Sequence, residues 1–382
     1  MDDTSRPIGW RMRLVCVCSL FLGLANACTG EGPMNPEVSA VSSAYMVGVY
    51  YYPWYAHDFH GGRYLREHLR PPQLPSLGEY DDRDSEVIAQ HLRWSRAANV
   101  SLWVTSWWGP GRREDTTLQQ YILPHGELQE MKIALFYETP GRVPGFTDLS
   151  NVSEDLAYIA ANYFEHPNYL RIRGRPVLFV YLTRVLSSSG VLEEVVTRMR
   201  GAASTAGYDL YIVGDHAFGQ PRDASALRLL DGVTNYDVYG SVGARGYAGQ
   251  QAVDAYFEAQ AGWLTLSKSA GAAFIPAATP GFNDKGVRDG HAAVSRRLTA
   301  DSEPGTLFRA MLQQAVAQTD SAAGNILMIT SWNEWHEDTQ IEPVVEAPPT
   351  ALDDSDGAYS EGLEYEGYGE RYLDILREET SR

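Results

Sequence analysis

The sequence predicts a (β/α)8 barrel, a TIM barrel in a single domain, from three observations. Eight short apolar runs of strand length follow one another from Met46. Amphipathic stretches of helix length fill the gaps between them. No Gly-rich phosphate-binding turn follows the first run. Strands of a parallel sheet are covered on both faces, so they read as near-continuous apolar runs. Eight strand–helix units over residues 46–382 fit a barrel. A doubly wound open sheet is the alternative use of the same alternation, and it lacks its usual turn.

In chain order, a leader comes first. Arg6, Arg11 and Arg13 form a basic head, in which Asp2 and Asp3 are unusual, and residues 14–27 form an apolar run ending in small residues. The run is too short to span a bilayer comfortably, so residues 1–27 read as an export signal. All three cysteines, Cys16, Cys18 and Cys28, lie in or at the end of this leader, leaving no intrachain disulfide for the body. Cys28 follows Leu24-Ala25-Asn26-Ala27, which resembles the lipobox of bacterial lipoproteins. The expectation is an exported protein lipid-anchored at the cell envelope through Cys28. Cleavage without acylation would instead leave a secreted chain with a free thiol. Residues 28–45 are small, polar and Pro/Gly-bearing, and read as a flexible tether.

The catalytic body then occupies residues 46–382. Strands are expected at 46–52, 101–108, 132–138, 177–182, 210–216, 232–239, 272–279 and 326–332. Helices are expected at 84–98, 116–130, 153–165, 192–206, 223–230, 253–270, 304–319 and 368–381. In the first of these, Val87, Ile88, His91, Leu92 and Ser95 recur at helical spacing and Asp84 is placed to cap the N-terminus.

Composition narrows the class of partner. The net charge is −18, against a nucleic-acid or anionic-membrane surface, since both need basic patches. Membrane contact is expected only through Cys28. Nine Trp and 23 Tyr suit either ordinary core packing or the gripping of sugar rings, whose flat C–H faces match aromatic planes.

A barrel forms its active site at the C-terminal ends of its strands. Those ends carry Tyr51, Tyr52, Trp54 and Tyr55; Trp107 and Trp108; Tyr137 and Glu138; Asp215 and His216; Tyr236, Asp237 and Tyr239. The last strand runs into Asn333, Glu334, Trp335, His336 and Glu337, the densest polar chemistry in the chain. Were the strand to continue, Glu334 and Glu337 would face opposite ways, roughly 10 Å apart along the chain. Were it to end in a helical turn, residues three apart would become neighbours, with Cβ atoms about 5–6 Å apart. The second arrangement lets both carboxylates reach one bond, at a separation close to the about 5–5.5 Å between the carboxyl groups of retaining glycosidases. A metal site built on His336, Glu337 and Asp338 lacks a second ligand cluster, so no metal and no cofactor is expected. No G-x-S-x-G elbow supports a serine hydrolase.

The segment WNEWHEDTQIEP, residues 332–343, resembles the signature of glycoside hydrolase family 99, the endo-α-1,2-mannosidases and mannanases. YYYPWY at 50–55, the stretch 77–108, Tyr137-Glu138, Phe179-Val180-Tyr181, 236–240 and Pro280-Gly281-Phe282 are similar to further family features. The resemblance implies a (β/α)8 barrel and an endo-acting, retaining hydrolase of an oligo- or polysaccharide, α-mannan or a related glycan. It also implies a route in which Glu334 deprotonates the substrate's own 2-hydroxyl, which attacks to give a 1,2-anhydro sugar. Glu337 is then the general acid/base. Tyr51, Tyr52, Trp54, Trp107, Trp108, Glu138, Tyr239, Asn333 and His336 are carried over as substrate-binding. The chain departs from the pattern at Asp338, where the family usually has Gly. Glycine permits backbone angles that Asp tolerates less readily. Asp338 either raises the pKa of Glu337 by like-charge repulsion or marks a different substrate.

Overall fold

The computed structural model describes residues 45–288 and 290–381. The expected leader, residues 1–27, most of the tether and the lipidation position Cys28 therefore lie outside the described residues.

The apolar runs form strands β1 Met46–Tyr51, β2 Val100–Trp107, β3 Lys132–Tyr137, β4 Arg175–Val180, β5 Tyr211–Asp215 and β6 Gly232–Thr234. They are followed by β7 Ala273–Phe274, β8 Ala277–Ala278 and β9 Ile326–Ile329. Every pairing among them is parallel, running β7-β6-β5-β4-β3-β2-β1-β9-β8. The two ends of that path are one segment of chain. The expected strand 272–279 pairs first with β6, then moves across to β9, and this transfer closes the sheet into a barrel. Pro276 marks the break, because it has no N–H to give a ladder. Its carbonyl accepts from Met328 N at 3.0 Å, while Ile275 N donates back to Val233 O at 2.8 Å.

Six helices of ten or more residues cover the barrel among the described residues. They are α1 Ser85–Ala97, α2 Val152–Asn162, α3 Leu192–Thr205, α4 Gly249–Ala270, α5 Thr306–Ala315 and α6 Arg371–Thr380. Asp84 caps α1, its carboxylate accepting from Glu86 N at 2.9 Å. The buried face of α1 is Val87, Ile88, His91, Leu92 and Ser95, joined by Ala89.

Several elements differ from expectation for local reasons. The helix expected at 116–130 spans only Arg113–Thr117 and a π-turn at Leu118–Ile122; Leu123 still holds helical angles, and Pro124, which has no N–H to give, ends the run. At 223–230 only a 3-10 turn, Ala226–Leu229, forms, since Asp223 bonds Ser225 N (3.0 Å) in a local turn instead. The strand 232–239 stops at Thr234, and Val238–Val242 is a helical turn capped by Asp237. Tyr368 and Gly369, expected to begin the last helix, instead end β11 Tyr365–Gly369, which is antiparallel to β10 Val344–Thr350. This hairpin escaped the sequence reading because Pro348 and Pro349 sit inside β10 and the register shifts twice.

Candidate active site

Strand alternation sorts the aromatic side chains. Successive residues of a strand point to opposite faces, and three neighbouring strands end in phase. On β1, Tyr50 turns into the barrel against Phe136 and Tyr236, with ring centroids 4.7 and 4.9 Å away. Tyr51 turns outward, stacked on Trp103 at 4.2 Å and bonded to His91 Nδ1 at 3.0 Å. Tyr52 turns back into the mouth. On β2, Trp107 points out to Asp115 (Nε1 to Oδ1, 2.9 Å), while Ser106 and Trp108 point in. After β3, Tyr137 points out to Asp155 at 2.8 Å and Glu138 points in.

Of the residues expected to bind substrate, Tyr52, Trp54, Trp108, Glu138 and Tyr239 therefore line one cavity of about 460 Å³ with Glu334 and Glu337. Tyr51 and Trp107 do not; both are fully buried between strand and helix. Asn333 is buried as a clamp behind the cavity. Its side chain accepts from Tyr52 N at 2.8 Å and donates to Tyr52 O at 3.0 Å, tying β1 to the last turn.

The chain after β9 does not continue as a strand. Glu334 N donates to Ser331 Oγ at 2.9 Å, and the Glu334 carboxylate accepts from His336 N at 3.1 Å, capping a 3-10 turn at Trp335–Glu337. This is the helical-turn alternative, and it sends both carboxylates into the same cavity. His336 lies behind Glu334, its Nε2 donating to Gly62 O at 3.0 Å and its Nδ1 3.4 Å from Glu334 Oε1. Burial alone would lower the imidazole's pKa, but the bond to Glu334 and its charge outweigh that and raise it.

Glu337 accepts from Tyr236 OH at 3.2 Å and from Arg288 Nη1 at 3.1 Å. Tyr52 OH donates to Tyr236 OH at 2.6 Å, completing a hydroxyl relay to the carboxylate. Burial and then the charge of Glu334 push the Glu337 pKa up to about 7, with Arg288 opposing. Glu138 accepts from Ser106 Oγ at 2.7 Å. Burial is the main cause that pushes it up to about 8, aided by the charges of Glu334 and Glu337 and opposed by the Ser106 bond.

Asp338 is held in the left-handed region at φ +47°, the conformation that glycine favours there. It does not act on Glu337 as a bare charge. Its carboxylate turns away into a buried clamp, 2.5 Å from Arg66 Nε and 3.2 Å from Arg296 Nε, and these guanidiniums hold it below the usual carboxylate range against the effect of burial. The elevation of Glu337 comes from burial and Glu334 instead. Glu342 serves as a second buried anchor, accepting from Trp335 Nε1 (2.9 Å), Tyr80 OH (2.9 Å) and His91 Nε2 (3.0 Å).

Tyr181, Arg288 and His291 also line the cavity and were not picked out individually as site residues from the sequence. Tyr181 was findable, being in phase with Phe179 on β4. Arg288 and His291 lie in an irregular loop where no periodicity points to them. Among the described residues, no three His, Cys, Asp or Glu side chains are grouped to hold a metal ion. A larger hollow of about 680 Å³ lies beside the hairpin and α6, away from the strand C-termini, and its lining includes Arg309 and Arg371 beside its carboxylates.

The comparisons with known proteins agree with this architecture. The family model for glycosyl hydrolase family 99 matches residues 35–364. The chain is 23% identical to the glycoprotein endo-alpha-1,2-mannosidase of Mus musculus over 339 residues, covering 79% of this chain and 68% of the relative. It is 26% identical to a glycoprotein endo-alpha-1,2-mannosidase-like protein of Danio rerio, covering 79% of this chain and 71% of that one. Its fold is similar to the structure of the GH99 endo-alpha-mannosidase from Bacteroides thetaiotaomicron in complex with BIS-TRIS-propane. There the TM-score is 0.62 at 22% identity, over 87% of this chain and 95% of the other. With a match that covers most of its length and a closed (β/α)8 frame beneath it, the chain is a glycoside hydrolase and belongs to glycosyl hydrolase family 99.

Proposed function

We propose that the protein is an endo-acting, retaining α-1,2-mannosidase in which Glu334 is the base on the substrate 2-hydroxyl and Glu337 is the general acid/base. The observation that carries this reading is the shared 3-10 turn, which points two buried carboxylates into one cavity while keeping Glu337 protonatable near neutral pH. The aromatic walls, Tyr52, Trp54, Trp108 and Tyr239, suit a sugar ring.

In the first step Glu334 takes the proton of the 2-hydroxyl, and that oxygen forms a bond to the anomeric carbon. The bond from that carbon to the leaving oxygen breaks, and Glu337 delivers its proton to the leaving oxygen. In the second step the Glu337 carboxylate takes a proton from water, whose oxygen attacks the anomeric carbon. The bond between that carbon and O2 opens, and O2 recovers its proton from Glu334. Two inversions give net retention. The axial 2-hydroxyl of mannose lies anti to an α-linked leaving group, so the substrate and the route are mutually consistent.

The test is turnover of an α-mannoside beside its 2-deoxy analogue, after a panel of α-mannans and α-glucans has been sized for products. The analogue should be inert. Comparable turnover of the two, or a sugar ester trapped on Glu334, would overturn the route, and cleavage of glucans alone would overturn the substrate. From the leader sequence we further infer export and lipid anchoring through Cys28.

A further inference from the structure

Tyr51, expected among the substrate-binding residues, faces away from the cavity and begins a buried chain of hydrogen bonds instead. Its hydroxyl meets His91 Nδ1 on α1 at 3.0 Å, and His91 Nε2 meets Glu342 Oε1 at 3.0 Å. Glu342 Oε2 accepts from Trp335 Nε1 and from Tyr80 OH, each at 2.9 Å. The Tyr80 hydroxyl in turn accepts from Asn333 Nδ2 at 3.4 Å. Tyr51, His91, Glu342, Trp335 and Asn333 are fully buried and Tyr80 nearly so, and none of them lines the catalytic cavity.

The protons of this chain have a consistent arrangement. A carboxylate only accepts, so His91 presents its Nε2–H to Glu342, and in a neutral ring Nδ1 is left to accept from Tyr51. Glu342 reaches this place because the chain doubles back after the catalytic turn: Ile341 N donates to Ser331 O and Glu342 N to Trp332 O, both at 3.0 Å. One carboxylate thereby holds Trp335 directly and Asn333 through Tyr80, the residues on either side of Glu334. Apolar groups of the same shape would fill this space at little loss of stability, because a buried hydrogen bond returns little net energy. What a fully satisfied polar network supplies is direction.

We propose that Glu342 is a positioning residue for the hydrolysis. His91 and Tyr51 set its orientation, and Trp335 and Tyr80 pass that orientation to the turn that aims Glu334 and Glu337. This rests on the assignment of those two carboxylates to the chemistry. A misplacement of about 1 Å costs about a hundredfold in rate, even when its origin lies away from the reacting atoms. The aromatic walls that hold the sugar, Tyr52, Trp54, Trp108 and Tyr239, are not side-chain partners of Glu342. Its loss should therefore appear in kcat rather than in KM.

The experiment measures both constants on the α-mannan or α-glucan of the panel that the unmodified enzyme cleaves, at a temperature well below the melting point of each variant. Glu342→Leu removes the acceptors at similar volume, and kcat should fall about a hundredfold with KM within about threefold. Glu342→Gln keeps a carbonyl oxygen for Trp335 and Tyr80 and offers its NH2 to His91, whose tautomer reverses, so kcat should return to within about fivefold of the parent. Tyr80→Phe deletes a single hydroxyl and should cost about tenfold in kcat. Parent kcat in a folded Glu342→Leu would overturn the proposal, as would the absence of rescue in Glu342→Gln. If Glu342→Leu does not fold, Tyr80→Phe decides in its place, and parent kcat there overturns the proposal. Glu334→Gln tests the reading beneath: full activity in it overturns the catalytic assignment, and the proposal with it, whatever the Glu342 variants do.

Discussion

Glu337 sits where three influences meet, and each has a consequence that can be measured. Its pKa of about 7 comes from burial and Glu334, restrained by Arg288. A general acid must hold its proton when the substrate arrives, so kcat/KM for a poor leaving group should fall as pH rises through about 7. In Glu337→Gln that limb should vanish, and an aryl leaving group, which needs little protonation, should be the better-spared substrate. A limb that persists in the variant would assign the titration elsewhere. Glu138 makes a different point. Its pKa is raised in the folded protein to about 8 from an ordinary 4.5, so its neutral form is the one the fold favours. The stability this lends is fully present below about pH 4.5 and is lost as pH rises through about 8. Glu138→Gln should therefore change stability little at pH 4.5 and raise it at pH 9. The expected gain is of the order of a few kcal/mol, since each pK unit is worth about 1.4 kcal/mol. Thermal melts at the two pH values check it, and a gain equal at both would show that ionisation is not the cause. At this scale the sequence was legible by type and less so by direction. Tyr51 and Tyr52 are the same residue one position apart, yet only one faces the cavity, and a strict count of alternation from Tyr50 would have separated them.

The turn after β9 shows how much one short element has to do. It must end a strand, aim two carboxylates and re-enter a buried path, and it does so with Asp338 in a left-handed conformation. The Asp338 carboxylate lies between Arg66 and Arg296, both buried. Removing it leaves two buried guanidiniums short of their partner, a loss of about 3–5 kcal/mol for a broken buried ion pair. Asp338→Ala and Asp338→Gly should both destabilise on this scale in urea titrations. The glycine variant should suffer less by about 1–2 kcal/mol, because it adopts φ > 0 without a steric penalty. A glycine variant as stable as the parent would show that the arginines are satisfied by other groups. The Glu334–Glu337 spacing was visible in the sequence, but the choice between strand and turn was not, because it depends on Ser331 and His336 closing bonds around Glu334. The β10–β11 hairpin was hidden for a similar reason: prolines inside a strand argue against it until a partner strand is known.

Across the molecule, the barrel was legible because buried parallel strands leave long apolar runs whatever their neighbours. The loops were not, because Arg288 and His291 are placed by tertiary contacts rather than by any local period. The leader is tested separately from the barrel. If Cys28 is acylated, membrane-extracted protein should have an intact mass matching a lipid-modified N-terminus at residue 28, and Cys28→Ser should move the protein to the soluble fraction. An unmodified terminus would reject the anchor. The barrel's closure, finally, has a bearing on motion. Seven strands lie in ladders with both neighbours, but the eighth is split around Pro276 into two dipeptides, each holding one neighbour. Local opening begins where few backbone bonds resist it. The ring therefore has a seam, and the amides of Phe274, Ile275 and Ala278 should exchange with deuterium sooner than those at the centres of β2 and β3. Uniform protection around the ring would mean that side-chain packing holds the seam shut. If the seam does open first, the walls of the catalytic cavity come apart along the flank of the strand that carries Glu334 and Glu337, so that heat would silence the enzyme before it unfolds the barrel.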